Sequence, residues 1–108
     1  MRDLRPSELE RYLGSATEQP LLLDVREPWE FGICHIRGSE LLPMGQIPAA
    51  TQGGALPRDR DIVVICHHGI RSRQVAMFLE HQGFDRVINL QGGLDAWARE
   101  VDRDMPVY

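Results

Sequence analysis

Asp61-Ile62-Val63-Val64-Ile65-Cys66-His67-His68-Gly69-Ile70-Arg71-Ser72 is the stretch around which the rest of the chain arranges itself. The four β-branched residues Ile62 to Ile65 form an apolar run without helical spacing, which predicts a short strand buried on both faces. The run leads directly into Cys66, a polar loop with one glycine, Arg71, and then a segment with helical spacing at Val75, Phe78, Leu79 and Gln82 that Gly83 closes. The predicted order is central strand, cysteine loop, helix.

A cysteine at the carboxyl end of a parallel strand faces the amino terminus of the next helix. Unpaired N–H groups and the helix dipole stabilise an anion there, and a thiolate is an anion. Arg71, five positions after Cys66, adds a positive charge, and Gly69 permits backbone angles that let several N–H groups converge. Cys66 is therefore expected to be an activated nucleophile in an oxyanion-binding cradle. The bland alternative for a free cysteine is a small buried hydrophobe. His67, His68, Gly69 and Arg71 make a polar and flexible surrounding that such a residue would not need. His67 and His68 are expected to shape the pocket and tune its charge near neutral pH. Ser72 is expected to cap the helix or to donate its hydroxyl to the Cys66 sulfur.

Cys66-His67-His68-Gly69-Ile70-Arg71-Ser72 resembles the active-site loop of the rhodanese family of sulfurtransferases, Cys-x-x-Gly-x-Arg-Ser/Thr. Asp24-Val25-Arg26-Glu27-Pro28-Trp29-Glu30-Phe31, followed by His35-Ile36 and Gly38, is similar to the first signature of that family. Asn89-Leu90-Gln91-Gly92-Gly93-Leu94-Asp95-Ala96-Trp97 is similar to its carboxyl-terminal one. The three lie in the family's order and nearly span the chain. The resemblance implies a rhodanese-like α/β fold with about five short strands, a persulfide-forming Cys66, an active-site loop of His67, His68, Gly69, Ile70, Arg71 and Ser72, and a supporting rim that includes Asp24 and Arg26. Without it, Asp24 and Arg26 read as a surface ion pair of small energetic value. The sequence departs from the family pattern at Cys34, Arg37 and Ser39. Cys34 is expected to be buried and inert, and Gly92, Gly93 and Trp97 are read as packing residues.

With 108 residues, 43% of them hydrophobic and 26% charged, the chain is expected to form one globular domain over 1–108. That length buries about 65% of the unfolded surface without staples. A net charge of -4 offers no basic face for nucleic acid or an anionic membrane. All twelve basic residues are arginines, scattered along the chain. No stretch approaches membrane-spanning length and the charged amino terminus has no signal-peptide core, so a cytoplasmic protein is expected. Cys34 and Cys66 are not expected to form a disulfide there. No metal is expected, because the two cysteines and four histidines lack zinc-type spacing, and no cofactor is expected.

In chain order, Leu4 to Leu13 reads as a short helix with Pro6 in its first turn and Gly14 as its stop. Leu21 to Val25 is a strand that delivers Asp24 and Arg26 to the carboxyl edge of the sheet, where ligand sites collect. Pro28 to Phe31 is a helical turn, Ser39 to Leu42 a short strand, and Pro43 to Arg60 mostly loop with one weak helical turn. Arg86 to Leu90 is a strand, Gly92-Gly93 a tight turn, Leu94 to Val101 a helix, and Asp102 to Tyr108 a tail. Strands alternating with helices predict βαβ units, hence a mostly parallel sheet with helices on both faces.

The expected activity is a double displacement. Cys66 takes sulfane sulfur from a small anionic donor such as thiosulfate and passes it to a thiophilic acceptor, such as cyanide, a thiol, or a thioredoxin-like or other sulfur-handling protein. Two other classes fit less well. Cysteine phosphatases and arsenate reductases use Cys-x5-Arg, whereas four residues separate Cys66 from Arg71, and the smaller cradle suits sulfur better than phosphate. The resemblance also argues against a non-catalytic binding or sensing module, since inactive members of that family usually lack the cysteine that this sequence keeps.

Overall fold

The computed structural model describes residues 1–108. Five strands, β1 (Arg2–Leu4), β2 (Leu21–Asp24), β3 (Glu40–Leu41), β4 (Ile62–Ile65) and β5 (Val87–Leu90), form one sheet in the order β1-β5-β4-β2-β3. Every pairing is parallel. The sheet is thus wholly parallel, and the apolar run at Ile62 to Ile65 is its central strand.

Period-two alternation sends the strand side chains into two cores, one on each face. Leu22, Val63, Ile65, Ile88 and Leu90 face Leu9 of α1 (Pro6–Ser15) and Leu94, Trp97 and Ala98 of α5 (Gly93–Glu100). On the other face Leu21, Leu23, Ile62, Val64 and Val87 meet Ile47 of α3 (Ile47–Gln52) and Val75, Ala76 and Leu79 of α4 (Ile70–His81). The remaining helix, α2 (Pro28–Ile33), follows β2 at the carboxyl edge. Cys34 belongs to the first core and Cys66 to the second, so the sheet separates the two free thiols. No helix is long and apolar enough to cross a membrane.

Several local expectations are corrected. Leu4 belongs to the edge strand β1, and the first helix begins at Pro6 and runs through Gly14 to Ser15. Pro6 supplies the φ of a first helical turn, and the Glu8 carboxylate accepts the Arg5 N–H at 2.8 Å, closing that end. The segment after Pro43 holds a 3-10 turn at Met44–Gln46 and then α3, because Pro48 is compatible with a helix start. The segment after α5 is more than a tail: Met105 is buried in the core, and Tyr108 returns to the carboxyl edge of the sheet.

The turn between β5 and α5 determines how closely two loops approach. Gly93 has φ +60°, and a Cβ there would lie 2.5 Å from the carbonyl oxygens of both Cys66 and His67. Its peptide neighbours use that closeness, since Leu94 N–H donates to Cys66 O and Asp95 N–H to His67 O, each at 2.9 Å. Gly93→Ala combines a left-handed backbone with a backbone collision. We expect a loss of at least about 2 kcal/mol in urea unfolding, with the Cys66 loop displaced. An alanine variant as stable as the parent would show that the two loops do not touch.

Candidate active site

β4 ends at Ile65, and the chain turns through Cys66 to Gly69, whose φ of 92° makes it the residue preceding α4. This left-handed glycine folds the loop over the sulfur. Gly69 N–H donates to Cys66 Sγ at 3.1 Å and Ser72 N–H does so at 3.3 Å. Two backbone donors at the start of a 12-residue helix therefore converge on one sulfur atom. Cys66 is only 1% exposed, at the base of this cradle, whereas Ile70 stands out from the loop at 69%.

Ser72 lies inside α4 and does not cap it; Gly69 holds the cap position. The Ser72 hydroxyl is 3.3 Å from Cys66 Sγ and 2.6 Å from Asn89 Oδ1 at the end of β5. Asn89, part of the third quoted signature, is buried and reaches the sulfur through the Ser72 hydroxyl, although sequence reasoning assigned it no role.

Arg71 is held by a carboxylate from another element. Its Nη1 and Nη2 donate to Glu30 Oε1 and Oε2 at 2.7 and 2.8 Å, a bidentate pair. The anion Arg71 meets is thus Glu30 of α2, and its charge reaches the cysteine loop already paired. Glu30 also accepts from Glu27 N–H at 3.0 Å and from the Tyr108 hydroxyl at 2.9 Å. Arg71 first, then the Glu27 and Tyr108 donors, outweigh burial and hold the Glu30 carboxyl at about 2, against an ordinary 4.5.

That depression makes a stability prediction. A carboxylate with a lowered native pKa stabilises the fold fully above its unfolded value, and the stabilisation is lost as pH falls toward the native one. The gap from 4.5 to about 2 corresponds to about 3 kcal/mol, lost progressively from pH 4.5 down to pH 2. Glu30→Gln should therefore be less stable than the parent at pH 7, with the two converging near pH 2. Urea midpoints across this range check it, and parallel curves for the two proteins would refute it.

Asp24 and Arg26 are not a surface ion pair. Both are 0% exposed and lie beneath the site. Arg26 Nε donates to Asp24 Oδ1 at 2.9 Å, and Nη2 donates to Asp24 Oδ2 at 2.8 Å. The same guanidinium donates to the Cys34 carbonyl at 2.7 Å, the Glu30 carbonyl at 3.2 Å and the Tyr108 hydroxyl at 2.7 Å. Asp24 thus anchors Arg26, Arg26 and Tyr108 hold Glu30, and Glu30 holds Arg71.

Tyr108 ties the end of the chain to the loop. Its ring stacks on His67 with centroids 3.8 Å apart and planes 6° apart, and Trp29 meets its edge at 6.2 Å. Burial, the largest cause, and the hydrogen bond to Glu30 push the Tyr108 hydroxyl up to about 12, so it serves as a neutral donor. Burial, followed by the neighbouring charge of His68, lowers the His67 imidazole below its ordinary 6.5. Its Nε2 is buried without a hydrogen-bond partner.

One set of donors has the chemistry to hold a cation. Ligand atoms of His67, His68 and Asp95 all lie within 4.8 Å of one another. Sequence spacing does not reveal this set, because Asp95 arrives from α5. Arg99 already engages the Asp95 carboxylate at 3.2 Å. An open depression of about 430 Å³ runs outside the loop, lined by His68, Gly69, Ile70, Met77 and Gln91 among others.

The comparisons with known proteins agree with this fold. A family model described as Rhodanese-like domain matches residues 5–100. A sulfurtransferase of Allochromatium vinosum is 45% identical over 83 residues, which cover 77% of this chain and 76% of that protein. A probable adenylyltransferase/sulfurtransferase, MoeZ of Mycobacterium tuberculosis, is 37% identical over 105 residues, 97% of this chain but 26% of that protein. The chain thus spans about a quarter of that relative's length. A crystal structure of a rhodanese-like domain protein from Staphylococcus aureus superposes with a TM-score of 0.81 at 29% identity, covering 94% of this chain and 95% of the other.

Proposed function

This chain belongs to the rhodanese-like domain family, and from that premise we propose that it is a sulfurtransferase that carries sulfane sulfur on Cys66 as a persulfide. The observation that carries the reading is the convergence of the Gly69 and Ser72 N–H groups on Cys66 Sγ at 3.1 and 3.3 Å. The donor is a small anion such as thiosulfate. Cys66, having released its proton to solvent, attacks the outer sulfur. The new bond joins Sγ to that sulfur, the sulfur–sulfur bond of thiosulfate breaks, and sulfite leaves with the bonding electron pair. The two N–H donors stabilise the negative charge at the sulfur, and the loop's position at the start of α4 adds to this. Arg71, one third exposed in its side chain and clamped by Glu30, presents a guanidinium of fixed orientation at the edge of the cradle.

In the second half-reaction a nucleophilic acceptor attacks the outer persulfide sulfur, and Cys66 departs as thiolate. Cyanide serves as acceptor in the test tube; a low-molecular-weight thiol or a thioredoxin-like protein fits the same role in the cell. The loop does not favour phosphate chemistry, because only four residues separate Cys66 from Arg71, one fewer than in the Cys-x5-Arg cradle of the cysteine phosphatases. The chain acts as one domain in this scheme, needing no metal or cofactor.

The testing experiment is an intact mass and peptide map of the parent and Cys34→Ser after thiosulfate treatment, with and without reductant. One reducible sulfur atom on the Cys66 peptide of both proteins is expected. Sulfur on Cys34 alone would overturn the assignment. Two half-reactions also predict ping-pong kinetics, with parallel double-reciprocal lines when thiosulfate and cyanide are varied. Intersecting lines would require both substrates to bind together and would exclude the persulfide cycle.

A further inference from the structure

His67 and His68 of the cysteine loop meet Asp95 of α5, and one ligand atom from each lies within 4.8 Å of the other two. The backbone holds these two segments together, because Leu94 N–H donates to Cys66 O and Asp95 N–H to His67 O, each at 2.9 Å. The His67 and His68 ring centroids are 3.9 Å apart, and Tyr108 stacks on His67 at 3.8 Å, which fixes the plane of that imidazole. The three donors are thus brought together by contacts other than any they make with one another, as a preorganised ligand set requires.

A second observation points the same way. Nε2 of His67 is buried and has no hydrogen-bond partner. A buried polar atom left unpaired is uncommon and calls for an explanation, and nothing in the sulfur chemistry uses this one. A ring nitrogen that offers its lone pair to a cation needs no hydrogen bond. The other two donors are free to follow. His68 is exposed, and the Asp95 carboxylate is held only by Arg99, in an i,i+4 pair at 3.2 Å of the kind that is weak in water.

Two imidazoles and one carboxylate select the kind of ion. Calcium and magnesium take oxygen ligands, and copper(I) prefers sulfur, whereas this set suits zinc and its neighbours. Ligands on a tetrahedral zinc stand roughly 3.4 Å apart, so a spread of up to 4.8 Å closes by small rotations of His68 and Asp95. Cys66 Sγ is not among the donors; it stays in its own cradle under the Gly69 and Ser72 N–H groups.

We propose that His67, His68 and Asp95 form a binding site for a zinc-like divalent cation, which clasps the cysteine loop to α5. Three protein ligands leave the fourth position of a tetrahedral ion to water. The sulfur-transfer scheme does not use this ion, so the site is an additional property of the loop.

The test is calorimetric titration of the reduced protein with Zn2+ at one fixed pH, for the parent and four variants. The parent and Cys66→Ser should each bind one zinc with the same affinity, because the thiol is not a ligand. His67→Phe keeps a ring to stack on Tyr108 but has no nitrogen, His68→Ala changes an exposed side chain, and Asp95→Asn keeps the shape of the carboxylate. Each should weaken zinc by at least the roughly 10- to 100-fold that losing even an outer partner of a metal site costs. Urea unfolding of the same proteins without zinc checks that His68→Ala and Asp95→Asn are folded. A parent that takes up no zinc overturns the proposal. So does binding that disappears in Cys66→Ser, which would make the sulfur the ligand. Binding that is unchanged in Asp95→Asn overturns it too, since it would report only a pair of neighbouring imidazoles. The titration needs no sulfur donor, so a failure of thiosulfate to load Cys66 would count against the function proposed above and not against this site.

Discussion

Replacing Cys66 with serine should abolish sulfur transfer while leaving the fold in place. Serine keeps the size of the side chain to within a small change in atomic radius, and its Oγ meets the same Gly69 and Ser72 N–H donors. The buried position therefore keeps its hydrogen bonds, and the cost to stability should be about 1 kcal/mol or less. The chemistry has no such tolerance. A hydroxyl at neutral pH is a far weaker nucleophile than a thiol, and its sulfur adduct would need a sulfur–oxygen bond in place of a persulfide. Turnover of thiosulfate with cyanide should fall by about a thousandfold or more. The comparison to make is steady-state thiocyanate production beside urea unfolding of the same preparation. A Cys66→Ser protein that is folded and retains a tenth of the activity would remove the persulfide from the reaction.

The largest effect on stability should come from Arg26→Met. The side chain volume is similar, but the change removes the guanidinium donors of the Asp24 carboxylate, Nε and Nη2, leaves it only the backbone N–H of residue 26 at 3.1 Å, and strands the Cys34 carbonyl beside it. Breaking one side of a buried ion pair leaves an uncompensated charge and costs about 3–5 kcal/mol. Removing both charges together should cost less than removing one. Asp24→Leu with Arg26→Met is therefore expected to recover part of the loss in chemical denaturation. If the single variant matches the parent, the pair is solvated in solution. The single variant should also loosen Glu30, since Arg26 supports both its carbonyl and the Tyr108 hydroxyl that its carboxylate receives.

The β4-loop-α4 unit was legible in the sequence because its signals are local: a continuous β-branched run, a glycine where the backbone must be left-handed, and helical spacing afterwards. The edge strand β1 was not legible. Arg2-Asp3-Leu4 offers one apolar residue, and its conformation is set by pairing with Ile88 to Leu90 at the far end of the chain. Glu30 stood inside a quoted signature, and in the structure its carboxylate accepts the Glu27 N–H at the start of α2. Nothing in the spacing tells that its carboxylate would also receive Arg71 from across the sheet. Tyr108 and Asn89 were hidden for the same reason, since each acquires its role only when the sheet closes. For Asp24 and Arg26 the supporting role came from the resemblance and not from their spacing. Charged residues at a strand end read as surface, and only the three-dimensional packing of α2 and Tyr108 over them reveals burial.

The all-parallel order of the strands also governs when this cysteine can become reactive in the life of the molecule. A parallel sheet contains no hairpins, so each neighbour must be reached through a crossover, and β1 must wait for β5. Such non-local pairing makes folding slower than in a helical bundle, where contacts are local. On the ribosome, Cys66 emerges before Asn89 and before the Gly93 turn that presses against its loop. Until those residues are out of the exit tunnel, the thiol is an ordinary, accessible one, open to adventitious oxidation. Synthesis therefore passes through a window in which the residue on which the proposed activity depends is chemically unprotected, and completing the sheet closes that window.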